Sequence, residues 1–453
     1  MTLTGLVAAA VVVAAIVLVV KGWDVRLVLL TAALLLGTLS GNVAVVVREF
    51  LGTFSNEKFV VPICSAMGFA YVLRHTGCER HLVLLLVKPL RRVRWLLVPG
   101  VIAVGFVVNI PVISQTSTAV CIGPVVVPLM RAAGYSMPTI GACLLLGASV
   151  GGELLNPGAP ELLTVSAANP NNPNAAPQVQ ATRYLPPLVF TQLAVSMLAF
   201  WAMSVWWERG GDTPTSPPEG PGAIVPGPST ERINPLKAVV PLVPLALLFM
   251  AGPPLNWFTI EAKWVLAPGA SPTLYNSRLI GLAMLVGVLV AMAVTPGKAS
   301  GCVKQFFDGA GYGFANIVSL IVTANCFGVA IKEAGLADAL GELIRQVPNL
   351  MQPLAAFVPL LFAAVSGSGM ASTQSLYGFF HDPALALGLD PVSVGAMVSL
   401  GSAAGRTMSP VAAVVLMCAT LTGTNPFTLA KRVAVPLLVG IVVVVLLRMG
   451  GVV

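Results

Sequence analysis

Long apolar runs follow one another along most of the chain, separated by short polar connections. A helix of about 20 apolar residues is long enough to cross a bilayer. The runs predict spans at 3–20, 25–47, 185–207, 236–252, 279–296, 310–331 and 433–447, and one that begins at 59–73. The pattern therefore predicts an all-α chain that crosses a membrane many times.

Two other apolar stretches contain polar clusters in their middle. Residues 95–131 carry the cluster Ser114-Gln115-Thr116-Ser117-Thr118, and residues 353–380 carry a Ser/Thr/Gly cluster at 366–373. Irregular backbone is tolerated at membrane depth only where protein or a water-filled cavity satisfies it. We therefore predict two re-entrant hairpins, each built from two half-depth helices that meet at the polar cluster.

Each predicted hairpin is followed by a span that a proline motif interrupts. The first runs from about Pro138 to Ala168 and is broken at Asn156-Pro157-Gly158, and the second runs from Pro391 to Gly423 and is broken at Ser409-Pro410. Proline removes a helix hydrogen bond, so each break opens two helix ends. Discontinuous helices at matching places in two halves are the best sequence indication of a transporter binding site.

The two halves share one register of small residues. Ser114, Gly134, Gly141, Gly147 and Gly151 have the same spacing as Ser368, Gly388, Gly395, Gly401 and Gly405. We predict five spans and one hairpin in each half, which gives the halves opposite topology. If the basic loop 74–94 is cytoplasmic, most Lys and Arg fall inside, as the positive-inside rule requires, and both termini lie outside.

Composition supports a membrane protein and narrows the possible partners. The chain is 57% hydrophobic and 9% charged, whereas a soluble domain carries roughly 25% charged residues. The net charge of +8 comes from basic residues in short loops and does not predict nucleic-acid binding. The 7 cysteines have no CxxC spacing and are expected to be small buried residues. His75, His81 and His381 fall in predicted loops, which argues against a histidine metal cluster.

The expected organisation alternates two kinds of unit. Basic or amphipathic segments at 78–94 and 335–347 are interpreted as helices lying at the membrane interface. A Pro/Gly/Ser/Thr-rich stretch is interpreted as a flexible cytoplasmic linker between the halves. The predicted units are a first scaffold part (1–94), a first transport part (95–207), the linker (208–235), a second scaffold part (236–349) and a second transport part (350–453).

The hairpin clusters and helix breaks supply the candidate binding groups. Helix N-termini suit a carboxylate, and hydroxyl and freed carbonyl oxygens suit a cation such as Na⁺. The substrate-binding candidates are Ser114, Gln115, Thr116, Ser117, Thr118, Asn156, Pro157, Gly158, Ser368, Gly369, Ser372, Thr373, Arg406, Thr407, Ser409 and Pro410. The candidates for a coupling ion are Ser114, Thr116, Asn156, Ser366, Ser368 and Glu153.

Arg406 is the strongest single candidate for a functional residue, because it is a charged residue inside a predicted span. A charge at the bilayer centre is expensive and needs a partner or a watery cavity. Two roles remain open: the guanidinium binds a substrate carboxylate through its planar fork, or it pairs permanently with Glu153 in the other broken span. Glu153 and Glu161 are also at membrane depth. Either could hold a proton, because burial favours the neutral acid, or could simply line a cavity.

The first polar cluster, Ser114-Gln115-Thr116-Ser117-Thr118-Ala119, resembles the Ser-Asn-Thr hairpin tip of the ion transporter superfamily, which includes the divalent anion/sodium symporters. The second, from Ser366 to Gln374, is similar to the tip of its DcuC family of anaerobic four-carbon dicarboxylate carriers. Gln115 stands where the signature has Asn, and the second tip lacks the Ser-Asn-Thr triplet. These departures leave Na⁺ and H⁺ open as coupling ions.

The resemblance implies an elevator mechanism, a homodimer and a place in the bacterial inner membrane. The hairpins, the broken spans and the spans at 185–207 and 433–447 would form the moving transport domain. The spans before residue 77 and those between 236 and 331 would form the dimerising scaffold. The substrates implied are succinate, fumarate or malate, with no cofactor beyond a coupling cation.

Other functions fit parts of the pattern. A short-chain monocarboxylate carrier or a cation/proton antiporter could use the same scaffold, since one arginine suits one carboxylate as well as two. A channel would lack a saturable, counterflow-capable flux. The run Ser366-Gly367-Ser368-Gly369 suggests an intramembrane serine protease as another function, but a catalytic serine needs a His or Lys base. The histidines are predicted in loops and the cores lack Lys, so an enzyme is not expected.

Overall fold

The computed structural model of the chain describes residues 3–21, 23–87, 96–209, 233–252, 255–334 and 348–452. Within these ranges the regular elements are helices and helical turns. Six of the described helical stretches are long and apolar enough to cross a membrane: Met137–Ala168, Pro177–Glu208, Tyr275–Val294, Pro296–Glu333, Pro391–Thr422 and Pro426–Met449. The prediction of an all-α protein that crosses the membrane repeatedly is confirmed.

The helices of the first half range from 9 to 25 residues in length. They are α1 (Leu3–Val20), α2 (Val25–Leu39), α3 (Val43–Phe54), α4 (Glu57–Thr76), α5 (Cys78–Val87), α6 (Leu97–Asn109), α7 (Gln115–Ala132), α8 (Met137–Ser149), α9 (Pro160–Ala168) and α10 (Leu185–Arg209). Helices α6 and α7 form the first hairpin, and α8 and α9 are the two parts of the first broken span.

From its hairpin onward, the second half has the same order of elements as the first. Its helices are α11 (Pro235–Ala251), α12 (Tyr275–Val294), α13 (Ala299–Gly313), α14 (Ser319–Glu333), α15 (Met351–Ser366), α16 (Gly369–Ala386), α17 (Pro391–Met408), α18 (Ala413–Thr422) and α19 (Pro426–Met449). Helices α15 and α16 form the second hairpin, and α17 and α18 are the two parts of the second broken span.

The buried apolar side chains fall into three cores. The first core takes its residues from 83–200 and 351–445, and therefore unites both hairpins and both broken spans. The second core draws on 63–78 and 240–322, with Leu163 of α9 added. The third core joins α1, α2 and α3 to the C-terminal part of α14. The hairpins thus pack mainly against the broken spans and less against the surrounding helices.

Glycines allow each hairpin to lie directly on its broken span. A Cβ atom added at Gly401 or Gly405 of α17 would stand 2.1 or 2.0 Å from the carbonyl oxygens of Ala356 and Leu360 in α15. In the first half, a Cβ at Gly105 of α6 would lie 2.7 Å from the backbone of Gly147. Such distances exclude any side chain, so small residues set the spacing between these helices.

Several boundaries differ from the pattern-based prediction. The expected span 25–47 is wrong: α2 ends at Leu39 and a turn with Gly41 at φ +74° separates it from α3. The first break begins earlier than Asn156, because α8 ends at Ser149 and Gly151 takes φ +114°. The expected span 310–331 is part of a longer stretch in which a π-helical turn, Phe314–Val318, joins α13 to α14.

The histidines are not in loops, as the sequence pattern had indicated. His75 lies in the last turn of α4, His81 in α5 and His381 in α16. Most of the predicted linker, the second interfacial helix at 335–347 and the basic end of the first, with Lys88, Arg91, Arg92 and Arg94, lie outside the described residues.

Candidate functional site

A cavity of about 270 Å³ lies where the two hairpin tips meet the two broken spans. Polar groups from all four elements line it: Ser114, Gln115, Thr116, Gly158, Glu161, Ser368, Gly369 and Arg406. The opposite wall comes from α4 and from the junction of α13 and α14, with Ile63, Met67, Tyr312, Asn316 and Ile317. The cavity therefore lies between the first core and the helices of the second.

Four helices begin at this cavity. Their first turns contribute lining residues: Gln115 of α7, Glu161 of α9, Gly369 of α16 and Val414 of α18. The N-terminus of a helix carries unpaired N–H groups and roughly half a positive charge. Four such ends around one polar cavity favour an anion.

The two hairpin tips are capped in the same way. The Ser114 hydroxyl accepts a hydrogen bond of 3.3 Å from the Ser117 N–H, and the Ser368 hydroxyl accepts one of 3.1 Å from the Ala371 N–H. Ser114 and Ser368 are the residues that the repeat register aligned. A serine N-cap satisfies one exposed donor of the helix and leaves its neighbours for a ligand.

Glycines at the second tip and in the first break allow close contact between each tip and its break. Gly367, with φ +75°, ends α15, and a Cβ there would lie 3.2 Å from the Ala412 backbone of the second break. A Cβ at Gly158 would lie 3.3 Å from Ile113 of the first hairpin tip. Each hairpin tip is therefore held against the break in its own half.

Arg406 connects the second broken span to the first. Its Nη2 atom donates to Glu153 Oε1 at 2.6 Å and to the Ser149 carbonyl oxygen at 3.3 Å. Both side chains are buried, with 7% and 1% of their surface exposed. Nη1 makes no hydrogen bond to a described residue, and it would lie 3.2 Å from a Cβ at Gly369. The ion pair with Glu153 thus exists, while the other arm of the guanidinium borders the cavity.

Glu161 is the second charged residue of the cavity wall. It lies in the first turn of α9, its side chain is 2% exposed, and no described side chain donates a hydrogen bond to it. The charged neighbours that act on it are Arg406 and Glu153. The backbone N–H of Glu161 itself donates a hydrogen bond to this carboxyl.

Seven of the sixteen substrate-binding candidates line the cavity. They are Ser114, Gln115, Thr116, Gly158, Ser368, Gly369 and Arg406. The rest lie near it without lining it: Ser117, Thr118, Asn156, Pro157, Ser372, Thr373, Thr407, Ser409 and Pro410. Of the coupling-ion candidates, Ser366 and Glu153 are also outside the lining set. The structure thus gathers the two tips and Arg406 into one place.

Several candidates outside the lining set hold the breaks and hairpins together. Thr407 donates to the Ser149 carbonyl oxygen at 2.7 Å, next to Arg406. Ser372 donates to the Pro359 carbonyl oxygen at 2.7 Å, which ties α16 to α15. Asn156 donates to the Ile110 carbonyl oxygen at 2.8 Å and so joins the first break to the first tip.

Asn109, the residue at the end of α6, makes a similar connection. Its Oδ1 accepts from the Glu153 N–H at 3.1 Å, and its Nδ2 donates to the Val112 carbonyl oxygen at 3.1 Å. Asn109 therefore joins the end of α6 to the first break. It fixes the backbone of the residue that pairs with Arg406.

Tyr312 and Asn316 line the cavity but were not among the sequence candidates. Asn316 lies in the π-helical turn Phe314–Val318, and such turns are frequent at functional sites. The sequence does show two polar side chains within a predicted span, which could have indicated a role for them. It does not show that this span lies opposite the hairpin tips.

A cavity with polar groups from two hairpins and two broken helices, inside a bundle of apolar spans, is the arrangement of a multi-pass membrane transporter. A family model described as DcuC, C4-dicarboxylate anaerobic carrier, matches residues 57–453. The chain therefore belongs to the DcuC family, which is a bacterial family of transporters and not of enzymes.

Individual relatives agree with the family match. The chain is 23% identical to the "Probable anaerobic C4-dicarboxylate transporter DcuC" of Vibrio cholerae, over 94% of this chain and 93% of the relative. It is also 23% identical to the anaerobic C4-dicarboxylate transporter DcuC of Escherichia coli K12, over 83% of this chain and 77% of the relative. An uncharacterised transporter of Haemophilus influenzae is 29% identical over 204 residues, which are 45% of this chain and 69% of the relative.

Proposed function

We propose that this chain is a secondary active transporter of four-carbon dicarboxylates such as succinate, fumarate and malate. The observation that carries the proposal is the convergence of four helix N-termini and Arg406 on one cavity. Helix N-termini bind carboxylates through backbone N–H groups, and a guanidinium does so through a planar fork. The two relatives named DcuC are described as C4-dicarboxylate transporters.

The cavity offers separate places for two carboxylates. Arg406 Nη1 and the Gly369 end of α16 form one positive region, and the Ser114-capped start of α7 forms another. Its volume of about 270 Å³ is near the lower end of small-ligand sites. A short dianion that reaches both regions gains binding energy from both, whereas a monocarboxylate gains binding energy from only one of them.

We propose an elevator movement of the first core against the other two. The first core contains both hairpins and both broken spans, and its helices α10 and α19 pack against each other. The cavity lies at the border, with Met67 and Tyr312 on the side of the second core. Movement of the first core would carry the bound substrate past these side chains, and inverted repeats commonly support such alternating access.

Assembly and orientation follow from the family resemblance and from charge. We propose a homodimer in the bacterial inner membrane, formed through the helices of the second and third cores. With the basic loop 74–94 and the linker 208–235 in the cytoplasm, the termini lie outside. The exposed apolar side chains of α2 and α3, which include Leu35, Leu39, Val47 and Leu51, suit a lipid or subunit interface.

The test is exchange of labelled succinate by purified protein in liposomes. Vesicles loaded with unlabelled succinate should take up labelled succinate, and external fumarate and malate should compete with it. Acetate and butyrate should compete weakly; equal competition by these monocarboxylates would favour the monocarboxylate carrier instead. Absence of exchange with every carboxylate would refute the proposed function, and uptake without saturation would indicate a channel.

A further inference from the structure

A second cavity, of about 440 Å³, lies between α16 and the two helices α3 and α14. The C-terminal end of α9 also lines it, with Thr164, Ala167 and Ala168. Among the described residues, none lines both this cavity and the one at the hairpin tips. Its volume is within the range of small-ligand sites. The protein therefore has room for a second ligand outside the proposed substrate site.

Two glycines keep the second cavity open. Gly328 of α14 and Gly378 of α16 both line it. A Cβ atom added at either glycine would meet no described atom within 4 Å. By contrast, a Cβ at Gly401 or Gly405 would stand against the backbone of α15. The glycines of this cavity therefore leave free space between two helices and do not serve close packing.

The wall formed by α3 and α14 presents hydrogen-bond acceptors. Asn325 Nδ2 donates to Thr53 Oγ1 at 3.3 Å, and Thr53 Oγ1 donates to Glu49 Oε1 at 2.7 Å. The other oxygens of this chain, Glu49 Oε2 and Asn325 Oδ1, accept no hydrogen bond from a described residue. The chain thus directs its donors toward Glu49 and leaves two oxygens for a ligand that donates.

Glu49 is also the carboxylate of this cavity that has no ion pair with a described residue. Asp382, the other carboxylate, lies 3.2 Å from Lys332 and 2.8 Å from His381. Arg48, next to Glu49 in the sequence, donates instead to a backbone carbonyl of its own helix. A half-buried carboxylate without a counter-charge attracts a cation. The charge of the cavity wall therefore favours a positively charged ligand.

The wall formed by α16 offers further contacts. The Gln374 amide and the Ser375 hydroxyl are buried, and neither forms a hydrogen bond with a described residue. Buried polar groups without a partner are unfavourable. Tyr377 and Phe379 line the same cavity and supply aromatic rings. Such rings attract organic cations and also pack against carbon chains, so they favour an organic cation over a bare metal ion.

We propose that this second cavity binds an organic ammonium ion. The ammonium donates to Glu49 Oε2 and Asn325 Oδ1, and its carbon chain packs against Tyr377 and Phe379. A primary ammonium carries three N–H donors, and its hydrogen bond to a carboxylate is charge-assisted.

A bound ammonium ion would hold α16 against α3 and α14. Helices α3 and α14 contribute to the third core, and α16 contributes to the first. Under the proposed elevator movement these cores slide past each other, so the ammonium ion slows exchange without entering the substrate cavity. This consequence for transport rests on the proposed function, whereas the binding itself does not.

Binding is tested on the purified full-length chain in detergent, with n-butylammonium chloride as the probe. A ligand that binds only the folded protein raises its Tm. Thermal unfolding followed by circular dichroism should show a Tm that rises with n-butylammonium and then saturates. Neither n-butanol, which has the same carbon chain without the charge, nor NaCl should raise the Tm at the same concentrations.

Three variants locate the site. Glu49→Gln should weaken n-butylammonium binding by about tenfold or more, because a charge-assisted hydrogen bond is lost. Glu333→Gln is the matched control, since Glu333 ends α14 and is not among the residues that line the cavity. It should bind as the wild type does. Gly378→Leu keeps the carboxylate but fills the cavity, and should abolish binding.

The effect on transport is measured as succinate exchange in liposomes, with n-butylammonium at equal concentration on both sides of the membrane. The maximal rate of wild-type exchange should fall while the KM for succinate stays unchanged. Exchange by Glu49→Gln should not respond to the same concentration of n-butylammonium.

Five results would overturn the assignment. They are an unchanged Tm with n-butylammonium; an equal rise with n-butanol; an equal rise with NaCl, which would indicate an inorganic cation; wild-type binding by folded Glu49→Gln or Gly378→Leu; and a raised KM for succinate, which would place the ammonium ion in the substrate cavity. If the wild type exchanges no dicarboxylate, the proposed function fails, and the Tm measurements still decide the ammonium site.

Discussion

At the scale of single residues, the two arms of the Arg406 guanidinium differ. Nη2 donates to Glu153, whereas Nη1 lies beside Gly369 at the cavity and is the arm proposed to bind a substrate carboxylate. Lysine has one ammonium group and cannot hold Glu153 and a carboxylate in the same planar geometry. We expect Arg406→Lys to raise the KM for succinate exchange by about tenfold, the loss of about one charge-assisted hydrogen bond.

Arg131→Lys is the control for that measurement. Arg131 lies in the last turn of α7, is exposed, and is not among the cavity residues. It should exchange succinate with the wild-type KM. A wild-type KM in Arg406→Lys, with wild-type thermal stability, would show that the guanidinium does not bind a substrate carboxylate.

Glu153 has a structural role that can be measured without substrate. Its removal leaves the buried Arg406 charge unpaired, and breaking a buried pair typically costs about 3–5 kcal/mol. We expect Glu153→Gln to lower the free energy of unfolding by about 3 kcal/mol in detergent, and the double change Glu153→Gln with Arg406→Gln to lower it less. Thermal and denaturant unfolding followed by circular dichroism would measure both.

The exposed ion pair of Glu261 and Lys263 is the control for the buried pair. Their side chains are 63% and 72% exposed, so Glu261→Gln should change the free energy of unfolding by less than about 1 kcal/mol. Equal stability of Glu153→Gln and Glu261→Gln would mean that the buried pair contributes nothing to the fold.

At the scale of elements, the contact between α15 and α17 depends on glycine. A Cβ at Gly405 would stand 2.0 Å from the Leu360 carbonyl oxygen, and a backbone atom cannot move aside without moving its helix. We expect Gly405→Ala to cost about 2–3 kcal/mol of unfolding free energy, as overpacking of a close helix contact does. Thermal unfolding of the purified protein would measure the loss.

Gly311→Ala is the matched control within another helix. Gly311 lies inside α13, and no atom lies within 4 Å of an added Cβ. Alanine there should leave stability unchanged or raise it by about 0.5–1 kcal/mol, since glycine is a poor helix former. If Gly405→Ala were as stable as Gly311→Ala, the spacing of α15 and α17 would not depend on the glycine.

The same elements show what the sequence could predict. Apolar runs correctly predict a chain of membrane-spanning helices, because lipid leaves the backbone few alternatives to a helix. Gly151 shows the limit. Its register matches Gly405, yet Gly151 adopts φ +114° in the first break while Gly405 lies inside α17. The spacing of the glycines indicates the sequence repeat. It does not predict where each helix ends, because that depends on the energy of the local turn.

The candidate site also has a part that the sequence could predict and a part that it could not. Polar residues at the tips were predictable, because hydroxyl and amide side chains in an apolar stretch need a role. Which of them face the cavity was not: Thr116 lines it, whereas the neighbouring Thr118 bonds the Ser114 carbonyl oxygen at 3.1 Å. A step of two residues turns a helical side chain to another face, and no single-sequence pattern fixes that phase against a distant element.

At the scale of the whole molecule, the proposed movement of the first core predicts where a covalent bridge blocks transport. Lys332 of α14 lies 3.2 Å from Asp382 of α16, so this ion pair joins the surrounding helices to the second hairpin. One residue further along α14, Glu333 accepts a hydrogen bond of 3.0 Å from Asn42 at the start of α3. Helices α3 and α14 both contribute to the third core, so this second contact lies within one unit.

Pairs of cysteines at these two contacts can test whether the second hairpin moves past α14 during transport. In a background in which the seven native cysteines are replaced, a short thiol cross-linker should stop succinate exchange by Lys332→Cys/Asp382→Cys and leave Asn42→Cys/Glu333→Cys active. Reduction of a cleavable linker should restore exchange, because the bridge alone holds α16 against α14. Full exchange by the cross-linked 332–382 protein would mean that the second hairpin carries substrate without moving past α14, and the elevator proposal would then have to be abandoned.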